Sequence, residues 1–141
     1  MTANPLETWH RIVVTQDPSG LQDLLADDVV FHSPVVHTPQ RGKQIVTRYL
    51  DAALHAFFSP SFRVTRKLFG DTDAMLEFES EIDGVILNAV DIVQWNDAGQ
   101  IIEFKVMVRP LKAIGVVQQK MAERLQTGAQ MARDGEGPAA L

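Results

Sequence analysis

The sequence predicts an α+β fold in which a curved antiparallel sheet of four to six strands wraps around N-terminal helices and forms a cone-shaped pocket. Three observations carry this expectation. Apolar stripes of helical period occupy the first part of the chain. Four strand-like runs follow, joined by short turn sequences that favour antiparallel hairpins. Helices followed by a meander give a sheet with helices packed on one face.

The elements are justified in chain order. Pro5 to Val14 reads as a first helix, with Leu6, Trp9, Ile12 and Val13 on one stripe and Pro5 suited to the first turn. Asp17-Pro18-Ser19-Gly20 breaks it, and Leu21 to Leu25 makes a short second helix. Asp28 to His32 is a short β-branched strand stopped by Pro34, and Ser33 to Arg41 is a loop. Gly42 to Phe58 is a third helix, its stripe formed by Ile45, Val46, Tyr49, Leu50, Ala53 and Leu54. Phe62 to Phe69, Ala74 to Ile82, Val85 to Trp95 and Ile101 to Val108 are the meander strands. Pro110 ends the sheet. A last helix runs from Leu111 to about Ala132, with Leu111, Ile114, Val117, Met121 and Leu125 spaced for burial. Residues 1–132 are expected to form one domain and residues 133–141 a disordered tail.

Composition bounds the function. A chain of 141 residues suits one domain with one sizeable core. The net charge of -5 argues against nucleic acid or an anionic membrane as partner. No apolar stretch is long enough to span a bilayer. There is no cysteine, which removes disulfides, thiol catalysis and thiolate metal sites. Met1 to Glu7 has no basic segment and no apolar segment, so no signal peptide is expected and the location is read as cytoplasmic. The four histidines, His10, His32, His37 and His55, lack metal-ligand spacing, so no metal site is expected.

Asp91 is the leading candidate. It stands inside the apolar run Gly84 to Trp95, where a carboxylate is costly unless paired, hydrogen-bonded or protonated. Two readings stay open. Asp91 faces a pocket, or it is a structural carboxylate paired to Lys105 or Arg109 on the next strand. The register decides between two faces. A bulged turn at Gly99 would put Lys105, Met107 and Arg109 beside Asp91; the other register puts Phe104, Val106 and Val108 there.

The run Leu24 to Pro34, Gly42 opening a helix, and the run Val90 to Glu103 together resemble the nuclear transport factor 2-like superfamily, and within it the SnoaL-like branch. The likeness covers roughly Pro5 to Pro110. It implies a cystatin-like α+β barrel, a small apolar ligand, no cofactor, and a homodimer through the sheet face. The motifs are specific for fold and weak for activity, because the superfamily mixes isomerases, cyclases, epoxide hydrolases and binding modules.

The isomerases of that fold imply three positions here. Their carboxylate base, before the proline that ends the first strand, falls on Ser33, which cannot take a proton from carbon without a base beside it. Their first-helix tyrosine falls near Trp9, whose indole only donates. Their protonated aspartic acid falls on Asp91. The last-strand acid of the epoxide hydrolases falls on Val106.

Other candidates carry paired readings. His32 ends the first strand at the expected rim, or points outward while Phe31 and Ser33 point in. His37 reads as a solvated loop residue and His55 as a helix-surface residue. Arg109 holds an anionic ligand group or pairs structurally, the second being favoured. Tyr49, Phe78 and Trp95 line the cavity or fill the core. Glu77, Glu79 and Glu81 read as an exposed ladder, with Lys67 near Glu77 and Arg63 near Glu81, each pair contributing about 0.2–1 kcal/mol. Arg66 lands on the apolar face and either snorkels out or reaches the pocket. The expected function is binding of a small apolar ligand, catalytic or not. Asp91 and His32 are the candidate catalytic groups, and Trp9, Phe31, Ser33, Tyr49, Phe78, Trp95, Val106 and Arg109 the candidate ligand contacts. The alternative is a cofactor-independent isomerase, cyclase or hydratase using Asp91 as oxyanion or acid group.

Overall fold

The computed structural model describes residues 4–135, with side chains through residue 126. The order is α1 (Pro5–Thr15), a 3-10 turn (Pro18–Gly20), α2 (Leu21–Leu24), β1 (Leu25–His32), β2 (Gln40–Arg41), α3 (Lys43–Phe57), β3 (Arg63–Phe69), β4 (Asp73–Ile82), β5 (Val85–Trp95), β6 (Ile101–Arg109) and α4 (Leu111–Gly135). The six strands form one curved, unclosed sheet in the order β2-β1-β6-β5-β4-β3. β3 to β6 pair antiparallel as expected, whereas β1 lies parallel to β6.

Local chemistry explains the element ends. The Asn4 side chain accepts from the Leu6 amide at 2.8 Å and caps α1, whose first residue is Pro5. The Asp83-Gly84 turn takes positive φ at both residues, 51° and 79°, which matches a two-residue hairpin with right-handed strand twist. Gly42 donates to the Val29 carbonyl at 2.8 Å and accepts from the Val46 amide at 3.0 Å, so it ties β1 to the start of α3.

The core is one cluster between the helices and one face of the sheet. Alternate residues of β4 and β5 are buried, Ala74, Leu76, Phe78 and Ser80 on one, Leu87, Ala89, Asp91 and Val93 on the other. Leu6, Trp9, Ile12 and Val13 of α1 meet this face, as do Val46, Tyr49, Leu50 and Ala53 of α3. Helix α4 buries Ala113, Val117, Met121 and Leu125. The expected stripe began at Leu111, which instead is exposed; the buried row has a strict spacing of four. Arg124 to Asp51 at 3.0 Å fastens α4 to α3, and Lys120 to Asp83 at 3.3 Å fastens it to the β4–β5 turn.

Several expectations are corrected. β1 starts three residues before Asp28, because Leu25 and Ala26 are drawn into the core. The two-residue strand β2 lies at the end of what reads as loop. The ionic ladder is shifted. A bulge between Val64 and Arg66 sets Arg63 on Glu79 at 2.6 Å and Arg66 on Glu77 at 3.6 Å, while Lys67 reaches Glu7 of α1 at 3.0 Å. The same bulge turns Arg66 out to solvent. α4 runs to Gly135, past the expected end at Ala132, and the rest of the expected tail lies outside the described residues. Among the described residues no helix is long and apolar enough to cross a membrane.

Gly42 has φ of 103° and ψ of 150°, a region that L side chains rarely adopt, with open space where a Cβ would stand. Gly42→Ala is expected to lower unfolding free energy by about 1–3 kcal/mol through backbone strain alone. Gly20→Ala, at φ of -95° and also in open space, is expected to change it by less than about 0.5 kcal/mol. Urea denaturation of both variants checks the contrast.

Candidate functional site

The site is built by three elements. On β5, Asp91 stands opposite Leu76 of β4 and Val106 of β6. Directly opposed residues share a face, so the register that places Phe104, Val106 and Val108 beside Asp91 is the one adopted. A bulge makes this possible. Trp95 faces Ile101 and Gln94 faces Glu103, so one extra β6 residue is absorbed next to the Asn96–Gly99 turn. Lys105 then opposes Ile92, and Arg109 opposes Asn88, both on the outer face. The structural ion pair of Asp91 with either cation is therefore absent.

Trp9 of α1 meets Asp91 instead. Its indole Nε1 donates to Asp91 Oδ2 at 2.9 Å, with both side chains buried. The Trp9 ring sits edge-on to Phe104 at 5.0 Å, which fixes the direction of the N–H. Burial drives the Asp91 pKa up from 3.8 to about 7, and the Trp9 hydrogen bond opposes that rise. An indole cannot accept, so Oδ2 stays the acceptor and an acid proton belongs on Oδ1.

Asp91 borders a cavity walled by Trp9, Val13, Ala53, Phe57, Phe62, Leu76, Phe78 and Val106. Its volume is about 10 Å³, room for about one water. That is far below the ~300 Å³ or more of a small-molecule pocket. Aromatic rings fill the hollow. Phe62 lies 5.2 Å from Phe78 and 5.8 Å from Phe58, and Phe57 lies 5.5 Å from Phe78. Phe62 is half-buried, follows the short α3–β3 connection, and carries His10 on its outer side at 6.4 Å. Burial and the Lys67 charge both push the His10 pKa down.

The structure brings together Asp91, Trp9, Phe78 and Val106 of the sequence candidates. Phe31 and Tyr49 are buried, with tilted rings 5.8 Å apart, outside the cavity wall. Trp95 is half-buried at the core margin. Ser33 is engaged in a turn, where its Oγ accepts from the Val35 and Val36 amides. His32 points away from the core and lies 3.3 Å from Glu103. His32 and Ser33 line a separate cleft of about 510 Å³ with His37 and Lys105. Arg109 is exposed, with its guanidinium 3.4 Å from Asn88 Oδ1. Among the described residues no group of three or more metal-ligating side chains occurs. Val13 and Ala53 carried a readable signal as apolar stripe residues. Phe57 and Phe62 carried none, because the wall they form is made only when the α3–β3 connection folds back.

The SnoaL-like domain family matches residues 6–104. A steroid delta-isomerase from Pseudomonas aeruginosa is 32% identical, with 91% of this chain and 96% of that chain covered and a TM-score of 0.82. A protein with a cystatin-like fold from Silicibacter pomeroyi is 28% identical, over 92% and 90% of the two chains, with a TM-score of 0.81. An NTF2-like protein of unknown function from Mesorhizobium loti is 19% identical over 75% and 88%, with a TM-score of 0.66, a likeness of fold alone. Among the curated proteins none matches.

The Asp91 shift has a consequence for stability. Unfolded, the carboxyl ionises from about pH 4; folded, it holds its proton to about pH 7. Stability present below pH 4 is thus lost progressively as pH rises to 7, by about 4 kcal/mol in all, and no further above it. Asp91→Asn has no charge to bury, so its stability relative to the native chain should grow by that order between pH 4 and 7 and then level off. Trp9→Phe removes the opposing hydrogen bond and should extend the loss to higher pH. Urea titrations at a series of pH values read both; a difference flat with pH would refute the shift.

Proposed function

Because the chain belongs to the SnoaL-like domain family, we propose that it binds a small apolar molecule carrying one oxygen acceptor, with protonated Asp91 as the donor to that oxygen. What supports this reading is the Trp9–Asp91 hydrogen bond at the wall of an apolar cavity. It presents one neutral acid group in surroundings where a hydrogen bond is strong and water scarce. Room for the ligand comes from displacement of the Phe62 ring on its short connection. The ligand chemistry that fits is a ketone, enone or alcohol on a hydrocarbon frame.

Catalysis is the second reading, favoured by the 32% identity to the steroid delta-isomerase. Asp91 would then stabilise a developing enolate, a contribution of about 10²–10³ in rate. The cavity wall holds no second carboxylate to move the proton, and Ser33 stands away from it. The binding reading therefore ranks first.

For assembly, we propose a homodimer through the outer sheet face. Ile86 and Met107 are exposed there, and Val90 and Ile92 half-buried, on adjacent strands. We propose a cytoplasmic location, with which the cysteine-free sequence is compatible.

The binding test is a calorimetric titration with apolar ketones between pH 5.5 and 8.5. Affinity should fall about tenfold per pH unit above 7, as Asp91 loses its proton. Asp91→Asn should abolish that dependence. Binding indifferent to pH in the native chain would reject Asp91 as the donor. Conversion of a β,γ-unsaturated steroid ketone to its conjugated isomer, lost in Asp91→Asn, would promote the catalytic reading. Sedimentation equilibrium should give a dimer at micromolar concentration that Met107→Glu dissociates; a monomeric native chain would count against the sheet-face assembly.

A further inference from the structure

A second site lies on the far side of α3. Among the described residues one buried side-chain polar atom has no hydrogen-bond partner, Nη2 of Arg48. A guanidinium stays charged at any working pH, so an unpartnered buried N–H is costly. Asp51, three residues on along the same helix, is taken by Arg124 of α4 at 3.0 Å. Thr47, beside Arg48, is committed to the Lys43 carbonyl at 2.6 Å.

Arg48 lies in the wall of a cleft of about 430 Å³ that is bounded by α2, α3 and α4. It shares no wall residue with the Asp91 cavity. Its volume is that of a small-molecule site. Leu21 and Leu125, both buried, and Pro18 supply apolar wall. Asp23 and Asp51 also border it, which disfavours a dianion such as phosphate. A planar monoanion matches the guanidinium fork, and the remaining volume calls for a hydrocarbon body.

We propose that this cleft binds a small organic carboxylate, its carboxyl group on the Arg48 guanidinium and its hydrocarbon against Leu21 and Leu125. The site is independent of the Asp91 reading. A buried N–H left without a partner in the free protein is the expected cost of a binding group awaiting its ligand.

The test uses the full chain and hexanoate as probe, with hexanamide and inorganic phosphate as controls. Isothermal titration should show saturable 1:1 binding of hexanoate, and at least tenfold weaker binding of either control. Arg48→Met should lose at least tenfold in hexanoate affinity and should melt higher than the native chain without ligand. Arg48→Lys, which keeps the charge and loses the fork, should fall between the two. Asp91→Asn should bind hexanoate as the native chain does. Equal binding of hexanoate and hexanamide, unchanged affinity in Arg48→Met and Arg48→Lys, or no saturable hexanoate binding would overturn the proposal. Loss of affinity in Asp91→Asn instead would move the ligand to the other cavity and would equally overturn it.

Discussion

One hydrogen bond organises this molecule, the indole of Trp9 to the carboxyl of Asp91. It joins the first helix to the inner face of the sheet across 82 positions of sequence. A carboxyl in that wall must be neutral, or must be stabilised as an anion by donors. One indole donor opposes the effect of burial without cancelling it, and the carboxyl pKa rises to about 7. The register of β6, the position of α1 and the aromatic packing around the cavity all serve that arrangement. A shift of β6 by one residue would bring Lys105 or Met107 to the inner face and change the chemistry outright.

The same wall shows how the fold divides stability from binding. Phe57, Phe62 and Phe78 fill what the strand order alone would leave hollow. Close packing recovers dispersion and excludes water. Phe62 is half-buried at the end of a short connection whose Ser59 hydroxyl bonds those of Ser61 and Ser80. Two groups remain at odds with the packed interior, the buried Asp91 acid on one side of α3 and one unpartnered nitrogen of the half-buried Arg48 on the other. Buried groups with unmet hydrogen-bonding capacity mark where a fold is shaped by something besides its own stability.

Much of this was legible from residues alone. The α1 stripe of Leu6, Trp9, Ile12 and Val13 is buried as its spacing implies. β5 spans Val85–Trp95 because the Asp83-Gly84 turn and the Asn96–Gly99 turn bound it on both sides. The SnoaL-like resemblance named the family that residues 6–104 match. Asp91 and Trp9 were each marked, but their contact was not. Arg48 carried no signal, because an arginine on an amphipathic helix reads as a solvated face. His32, Ser33 and Arg109 were marked too, and the structure places them away from Asp91.

The sequence by itself determined the order of elements, the inner and outer faces of β4 and β5, and the presence of one acid on an apolar strand. Those properties depend on spacing within a segment, where side-chain period and turn chemistry act over a few residues. Tertiary structure alone decided what that acid meets. The bulges beside Gln94 and Val64 set which residues face each other across strands. The closing of the hollow by Phe62 and the capture of Asp51 by Arg124 came from packing between distant elements. Each of these is a relation between segments, and no segment carries in its own pattern the register at which another will dock against it.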